Sequence, residues 1–245
     1  MKKDGGKQKM NKELKEALQI RYVKLHFIIE MLENTVLPKY KASALRGGIG
    51  EMLLRANCVR DRDCEHCDFE TECMVQRTMY SKFEKKPEFV TTGESVGYVL
   101  ECEEYQEEYQ AGECLNFQLI LFGKTIVYFN QYMQALYALG IQGVGKYNSR
   151  FQIVSVTNTK KEPILEGNNI YMKNYEIQKI SDYVLYRKEQ LKQNGLKNTV
   201  RFKTPLTLKY HNEYLKEFHV QAIINAVKRR LYMLECFEGT DSELY

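Results

Sequence analysis

From residue 21 to residue 31 the chain alternates strictly. Val23, Leu25, Phe27, Ile29 and Met31 are apolar, and Tyr22, Lys24, His26, Ile28 and Glu30 stand between them. A period of two sends successive side chains to opposite faces, so this segment is a strand with one buried face and one mostly polar, partly cationic face. A strand of that kind needs a sheet beside it and a layer of apolar cover, and the rest of the chain supplies both. Leu45, Ile49, Met52, Leu53 and Ala56 recur at helical spacing, with Ser43 as the predicted N-cap. Residues 95–103 and 114–122 read as strands joined by the acidic, glycine-containing loop 104–113. A helix is predicted over 128–139, with Gly140 as its C-cap, and a strand over 151–156. The order β-α-β-β-α-β is the ferredoxin-like α+β arrangement, in which two helices cover one face of an antiparallel sheet and leave the other available.

Beyond residue 157 the pattern becomes a polar hairpin around 162–172, a helix over 181–193 and a turn at Asn194-Gly195. A strand over 199–209 and an amphipathic helix over 216–237 follow. The predicted organisation is a basic leader (1–19), a ferredoxin-like domain (20–157) with a cysteine-rich insertion at 58–73, a connecting segment (158–198), and the first half of a second ferredoxin-like unit (199–245). At 245 residues the chain has room for one large or two ordinary domains. A net charge of +4 is too small to imply a nucleic-acid partner by itself. No run approaches the roughly 18 apolar residues of a membrane span, and the first residues are polar and lysine-rich, so a cytoplasmic protein with no membrane partner is expected.

Three groups of residues carry chemistry. The stretch 37–50, LPKYKASALRGGIG, places glycines and cations at a strand-to-helix junction, where free backbone N–H groups and the helix dipole attract phosphate. Its spacing matches neither the dinucleotide fingerprint nor the P-loop, and glycine punctuation of a tight turn explains it equally well. Gly143, Gly145, Lys146, Tyr147 and Arg150 form a second glycine-rich basic loop: its cations suit phosphates and its tyrosine suits a base, while an ordinary long turn is the alternative. Cys58, Cys64, Cys67 and Cys73 fall as C-x5-C-x2-C-x5-C with His66 inside. Seven cysteines in a reducing compartment point to metal or redox chemistry before disulfides. A structural zinc is the first reading, an iron–sulfur cluster the second, and a set of reduced thiols the third. His26, by strand parity, shares the polar face with Tyr22 and Lys24.

Taken together these segments resemble the CRISPR-associated repeat-processing endoribonucleases, the sixth Cas protein family. The resemblance rests on 37–50 running into Cys58, the cysteine-rich insertion, Gly143-Val-Gly-Lys146 with the strand from Arg150 to Val156, and residues 204–209 followed by 226–231. It implies a pair of ferredoxin-like domains that bind CRISPR repeat RNA in antiviral defence. It further implies a cut made without metal, in which the substrate's 2′-hydroxyl attacks and a 2′,3′-cyclic phosphate remains. On this resemblance Tyr40, Lys41 and Arg46 are the expected catalytic residues. Lys24, His26, Arg55, Gly143, Gly145, Lys146, Tyr147 and Arg150 are the expected RNA contacts. Many relatives carry a catalytic histidine in the first helix, and residues 44–56 contain none. The expected partners are repeat RNA and either other Cas proteins or a missing C-terminal half. The alternative function is a subunit that holds RNA without cutting it.

Overall fold

The computed structural model describes residues 18–80, 97–195, 199–211 and 213–239. Strand β1 (Arg21–Met31) occupies the centre of an antiparallel sheet. A short strand β2 (Thr35–Val36) follows, then helix α1 (Lys41–Asn57) and the one-turn helix α2 (Met74–Thr78). Next come β3 (Tyr98–Glu101), β4 (Glu108–Tyr109), β5 (Cys114–Phe122), helix α3 (Phe129–Gln142) and β6 (Phe151–Thr157). The strand order β3-β5-β1-β6, every neighbour antiparallel, is the ferredoxin-like sheet that the β-α-β-β-α-β pattern predicts. A hairpin of β7 (Pro163–Glu166) and β8 (Asn169–Ile170) extends the sheet beyond β6, and β9 (Gln178–Lys179) pairs with the start of β1.

The core lies between the sheet and α1 with α3. The odd-numbered residues of β1 from Val23 to Met31 and of β5 from Leu115 to Leu121 point into it, joined by Leu45, Ile49 and Leu53 of α1 and Leu136 and Leu139 of α3. Each such aliphatic side chain contributes about 1.5–3 kcal/mol on burial. Phe27 stacks flat on Phe117 across the β1–β5 pair at 5.0 Å between ring centres. The two helices touch closely because Gly48 faces Leu139: a methyl at position 48 would come within 2.6 Å of the leucine side chain.

Several predicted boundaries move. Ser43 lies inside α1 and caps nothing; the N-cap is Tyr40, which is extended at φ −105° and makes no side-chain cap bond. Pro38 and the inward anchoring of Lys41 start the helix early. Ala56 is exposed rather than part of the buried stripe. The 95–103 strand forms over Tyr98–Glu101, and residues 95 and 96 lie outside the described residues, as does most of the predicted basic leader. Gly140 packs within α3 and does not end it; the C-cap is Gly143, at φ +95°. The predicted strand over 199–209 is irregular except at its end, where β10 (Lys209–Tyr210) pairs with β11 (Glu213–Tyr214). Pro205 lacks an N–H, and Val200, Phe202 and Leu206 remain exposed, with no strand among the described residues alongside.

Two later helices complete the described chain, α4 (Ile180–Asn194) and α5 (Val220–Glu238). The predicted helix over 216–237 starts at Val220, because His219 caps it by accepting the Ala222 N–H at 3.2 Å. Met233, Leu234 and Phe237 of α5 pack with Ile20, Ile120 and Phe122 on the sheet face opposite α1 and α3. That face is therefore covered at one end. Among the described residues, no helix is long and apolar enough to cross a membrane.

Candidate functional site

The two glycine-containing segments, far apart in sequence, meet in space. The loop between α3 and β6 is closed by a pair of backbone hydrogen bonds between Val144 and Ser149, at 2.9 and 3.0 Å. Gly143 allows this closure because a side chain there would enter the Asn148 carbonyl group. At the far side of the loop, Gly145 faces Leu37 and Pro38, so Lys146 and Tyr147 lie beside the entry to α1. The Thr35 and Ser149 hydroxyls are hydrogen-bonded, and the Leu32 N–H donates to the Arg150 carbonyl at 3.0 Å. The loop exposes Tyr147 (62% exposed) and Lys146, whose ammonium lies 5.4 Å from the Tyr147 ring centre, and Tyr40 (45% exposed) stands two residues beyond Pro38. Arg150 is part of this surface but is engaged, donating to Glu33 through its backbone N–H at 3.0 Å and its guanidinium at 3.4 Å.

Each of the three expected catalytic residues has partners of its own. Lys41 is 1% exposed, and its ammonium donates to the backbone carbonyls of Glu104, at 3.1 Å, and Gln106. Burial lowers the Lys41 pKa below the ordinary lysine value against the opposing pull of Cys102, Glu104 and Glu107. In this position Lys41 ties the acidic loop to the base of α1. Arg46 is exposed and sets its guanidinium 5.0 Å from the centre of the buried Tyr98 ring. Tyr40 packs edge-on against Tyr105 at 6.2 Å. Arg55 donates to Glu51 at 2.8 Å and to Gln142 at 2.7 Å, and Arg62 donates to the same Glu51. Lys24 pairs with Glu101 at 2.9 Å on the polar sheet face. His26 lies next to it, its pKa lowered by burial and by Lys24.

Cys58, Cys64, Cys67 and Cys73 are free, partly exposed and line one cavity of about 380 Å³. The Arg62 N–H donates to the Cys58 sulfur at 3.1 Å. Among the described residues no three His, Cys, Asp or Glu side chains are grouped so as to hold a metal ion. A larger cavity, about 900 Å³, runs between α3 and the β6–β8 edge and has mainly apolar walls, including Tyr137, Ile141 and Ile170, with Arg150 among its lining residues.

Sequence reading missed two features. One is the fold-back of the acidic loop, whose Glu107 carbonyl accepts the Leu37 N–H at 2.8 Å. The other is the polar side of β5, where Gln118 stands directly opposite His26. The alternation of 114–122 carries the signal for that pairing, because Asn116 and Gln118 fall between the core residues Leu115, Phe117 and Leu119.

Fold and surface define a ferredoxin-like α+β protein with an aromatic and cationic patch at the foot of its first helix. The chain belongs to the AF_1859_N family, whose N-terminal domain model matches residues 18–210. No curated protein matches it. Among solved structures, one from the Csm3-Csm4 subcomplex of the type III-A CRISPR-Cas interference complex is similar, at 14% identity and a TM-score of 0.39. The match covers 71% of this chain and 97% of that chain, a likeness too distant to bear on function.

Proposed function

We propose that this chain binds CRISPR repeat RNA, and that its work in antiviral defence is to make or to hold guide RNAs. The observation that carries the binding is the meeting of the α1 entry with the 143–149 loop, which sets the exposed Lys146 and Tyr147 beside the segment of Leu37 and Pro38, with exposed Tyr40 two residues further on. Aromatic rings beside cations serve bases and phosphates together. The repeat as target comes from the family resemblance of the motifs. Affinity should fall steeply with salt, and changing Lys146 and Arg150 together to alanine should weaken binding at least tenfold. It should also reduce the salt slope by about 1.4, since each phosphate contact to single-stranded RNA is worth about 0.7. Fluorescence anisotropy with the repeat RNA checks this, and unchanged affinity in the double variant would reduce the loop to a turn.

Cutting would form a bond from the 2′-oxygen to phosphorus and break the bond to the 5′-oxygen. One group must take the 2′-hydroxyl proton, another must return a proton to the leaving oxygen, and a cation must steady the added charge. Tyr40 and Arg46 are exposed for such roles, whereas the Lys41 ammonium is spent on backbone carbonyls. That engagement favours the holding role over cleavage. Incubation with repeat RNA in EDTA separates the two. A product with a cyclic phosphate, lost by about a hundredfold or more in Arg46→Ala, establishes cleavage; tight binding with intact RNA establishes the holder.

The four cysteines are assigned to a structural zinc that draws the turns of 58–73 together when it binds. Elemental analysis of protein purified without added metal should find about one zinc per chain. Substoichiometric metal that stays low after zinc addition would end this assignment. The exposed apolar residues Val200, Phe202, Leu206, Phe218 and Val227 suit a further protein surface, from another Cas protein.

A further inference from the structure

The end of the sheet where β1 begins carries a second gathering of cations, contributed by α4 and α5. Ile180 opens α4 and packs with Leu231 of α5 on the cluster of Ile20, Ile120 and Phe122, so both helices meet at one place. Burial raises the Tyr22 pKa, and Tyr183 and Asp182 of α4 add to the rise. The Tyr22 ring lies 6.3 Å from that of Phe122, and the Arg230 guanidinium stands 6.0 Å from the Phe122 ring centre. Lys228 and Arg229 precede it in the sequence, and the next acidic residue along α5, Glu235, is buried. Helix α4 sorts its charges. Asp182 and Glu189, two turns apart, share one side. Val184 and Lys188 follow Ile180 at intervals of four, along the side that begins on the cluster, and Arg187 and Leu191 flank that line. Lys192 lies at the border and pairs with Glu189 at 3.0 Å. Tyr183, Arg187, Lys188, Leu191 and Lys192 line one cavity of about 690 Å³. The core makes little use of this side, since Ser181 alone among the residues of α4 is buried.

We infer that the cationic side of α4 and the 228–230 segment of α5 form a second contact surface for single-stranded RNA, at the opposite end of β1 from the 143–149 loop. The inference rests on the RNA-binding reading and deepens it. β9 ties the start of α4 to Arg21 and Tyr22, while the loop is bonded to Leu32 through the Arg150 carbonyl. The run of β1 between Arg21 and Met31 sets the two surfaces about 33 Å apart. Cations drawn from two helices onto a shared base repel one another, and a polyanion laid across them turns that repulsion into attraction. Each phosphate bound there also releases condensed counterions. The Lys192–Glu189 pair is exposed and holds Lys192 weakly, so a phosphate can take the place of the carboxylate. Tyr183, 53% exposed, stands in the cavity wall among these cations and suits a base of the same strand. An acidic protein segment would satisfy the cations but leave that ring without a planar partner, so RNA is the occupant that uses the whole surface.

The test is fluorescence anisotropy with labelled repeat RNA over a range of salt concentrations. The wild type is compared with R187A/K192A, Lys228→Ala and the loop double variant K146A/R150A, and with Lys173→Ala, an exposed lysine outside both surfaces. Arg187, Lys192 and Lys228 are exposed, so their loss should leave the melting temperature unchanged. R187A/K192A should weaken binding about tenfold and lower the salt slope by about 1.4, the amount that two lost phosphate contacts to a single strand require. Lys228→Ala should lower the slope by about 0.7, and Lys173→Ala should alter neither affinity nor slope. Tyr183→Leu should cost about tenfold with the slope kept, and Tyr183→Phe should retain the affinity. Wild-type affinity and slope in R187A/K192A and Lys228→Ala, with K146A/R150A impaired, overturns the α4–α5 surface alone. Labelled poly-glutamate bound more tightly than the RNA, and lost in R187A/K192A, also overturns it and makes the occupant an acidic protein. Absence of binding to the repeat RNA by the wild type overturns the RNA reading, and this surface with it.

Discussion

Lys41→Met is expected to lower the unfolding free energy by about 3 kcal/mol. The ammonium reaches two backbone carbonyls, those of Glu104 and Gln106, and also lies 5.5 Å from the Tyr109 ring centre. Hydrogen bonds to a charged group are worth about 1.5–3 kcal/mol each. Methionine keeps the apolar stem but leaves both carbonyls without their donor. The gain from no longer burying a charge offsets part of the loss. Urea unfolding measures the difference, with Lys39→Met, at an exposed position, as the control expected within about 0.5 kcal/mol of wild type. The 102–113 loop should lose hydrogen-exchange protection in the Lys41 variant. Wild-type stability combined with lost RNA cleavage would place the ammonium at the substrate and return Lys41 to the catalytic role that the sequence resemblance implies.

Gly143→Ala should cost about 3 kcal/mol and take the 143–149 loop with it. At φ +95° and ψ 153° the residue occupies a backbone region that is essentially glycine's alone, where other residues pay about 1–3 kcal/mol. The obstructing neighbour is the Asn148 backbone, which cannot swing aside as a side chain would. The loop must therefore open, breaking the Val144–Ser149 pair and moving Lys146 and Tyr147 away from Pro38. Gly145→Ala is the comparison: it also has positive φ, at +76°, but the nearest atoms, on Leu37 and Pro38, are 3.8 Å from the added methyl. Its cost should be about 1–2 kcal/mol, with RNA affinity largely kept. Thermal unfolding and repeat-RNA titration of both variants check the order. Equal stability of Gly143→Ala and wild type would mean that the loop closes some other way.

The site was less legible than the fold, and Lys41 shows why. In the sequence it stands among Lys39, Tyr40 and Arg46 as one more cation at a helix start. Only the return of the acidic loop, through the Leu37–Glu107 hydrogen bond, converts it into an internal clamp. Gln118 shows the opposite case. Its place on the polar face follows from alternation, but its position opposite His26 depends on the register between β1 and β5.

The alternation of β1 and β5, the helical stripes of α1 and α3, and their order along the chain were enough to determine the ferredoxin-like sheet with its two covering helices. Periodicity is a local property, and burying apolar faces of that kind leaves few arrangements. Helix ends and meetings between distant segments were decided by the tertiary structure alone. α1 begins at Lys41 because a buried ammonium finds carbonyls there, α3 runs on to Gln142 because only Gly143 can make the turn, and residues 199–208 stay irregular because no strand among the described residues lies alongside them. These outcomes depend on which backbone groups find partners across the fold, and a sequence read along one dimension does not contain those distances.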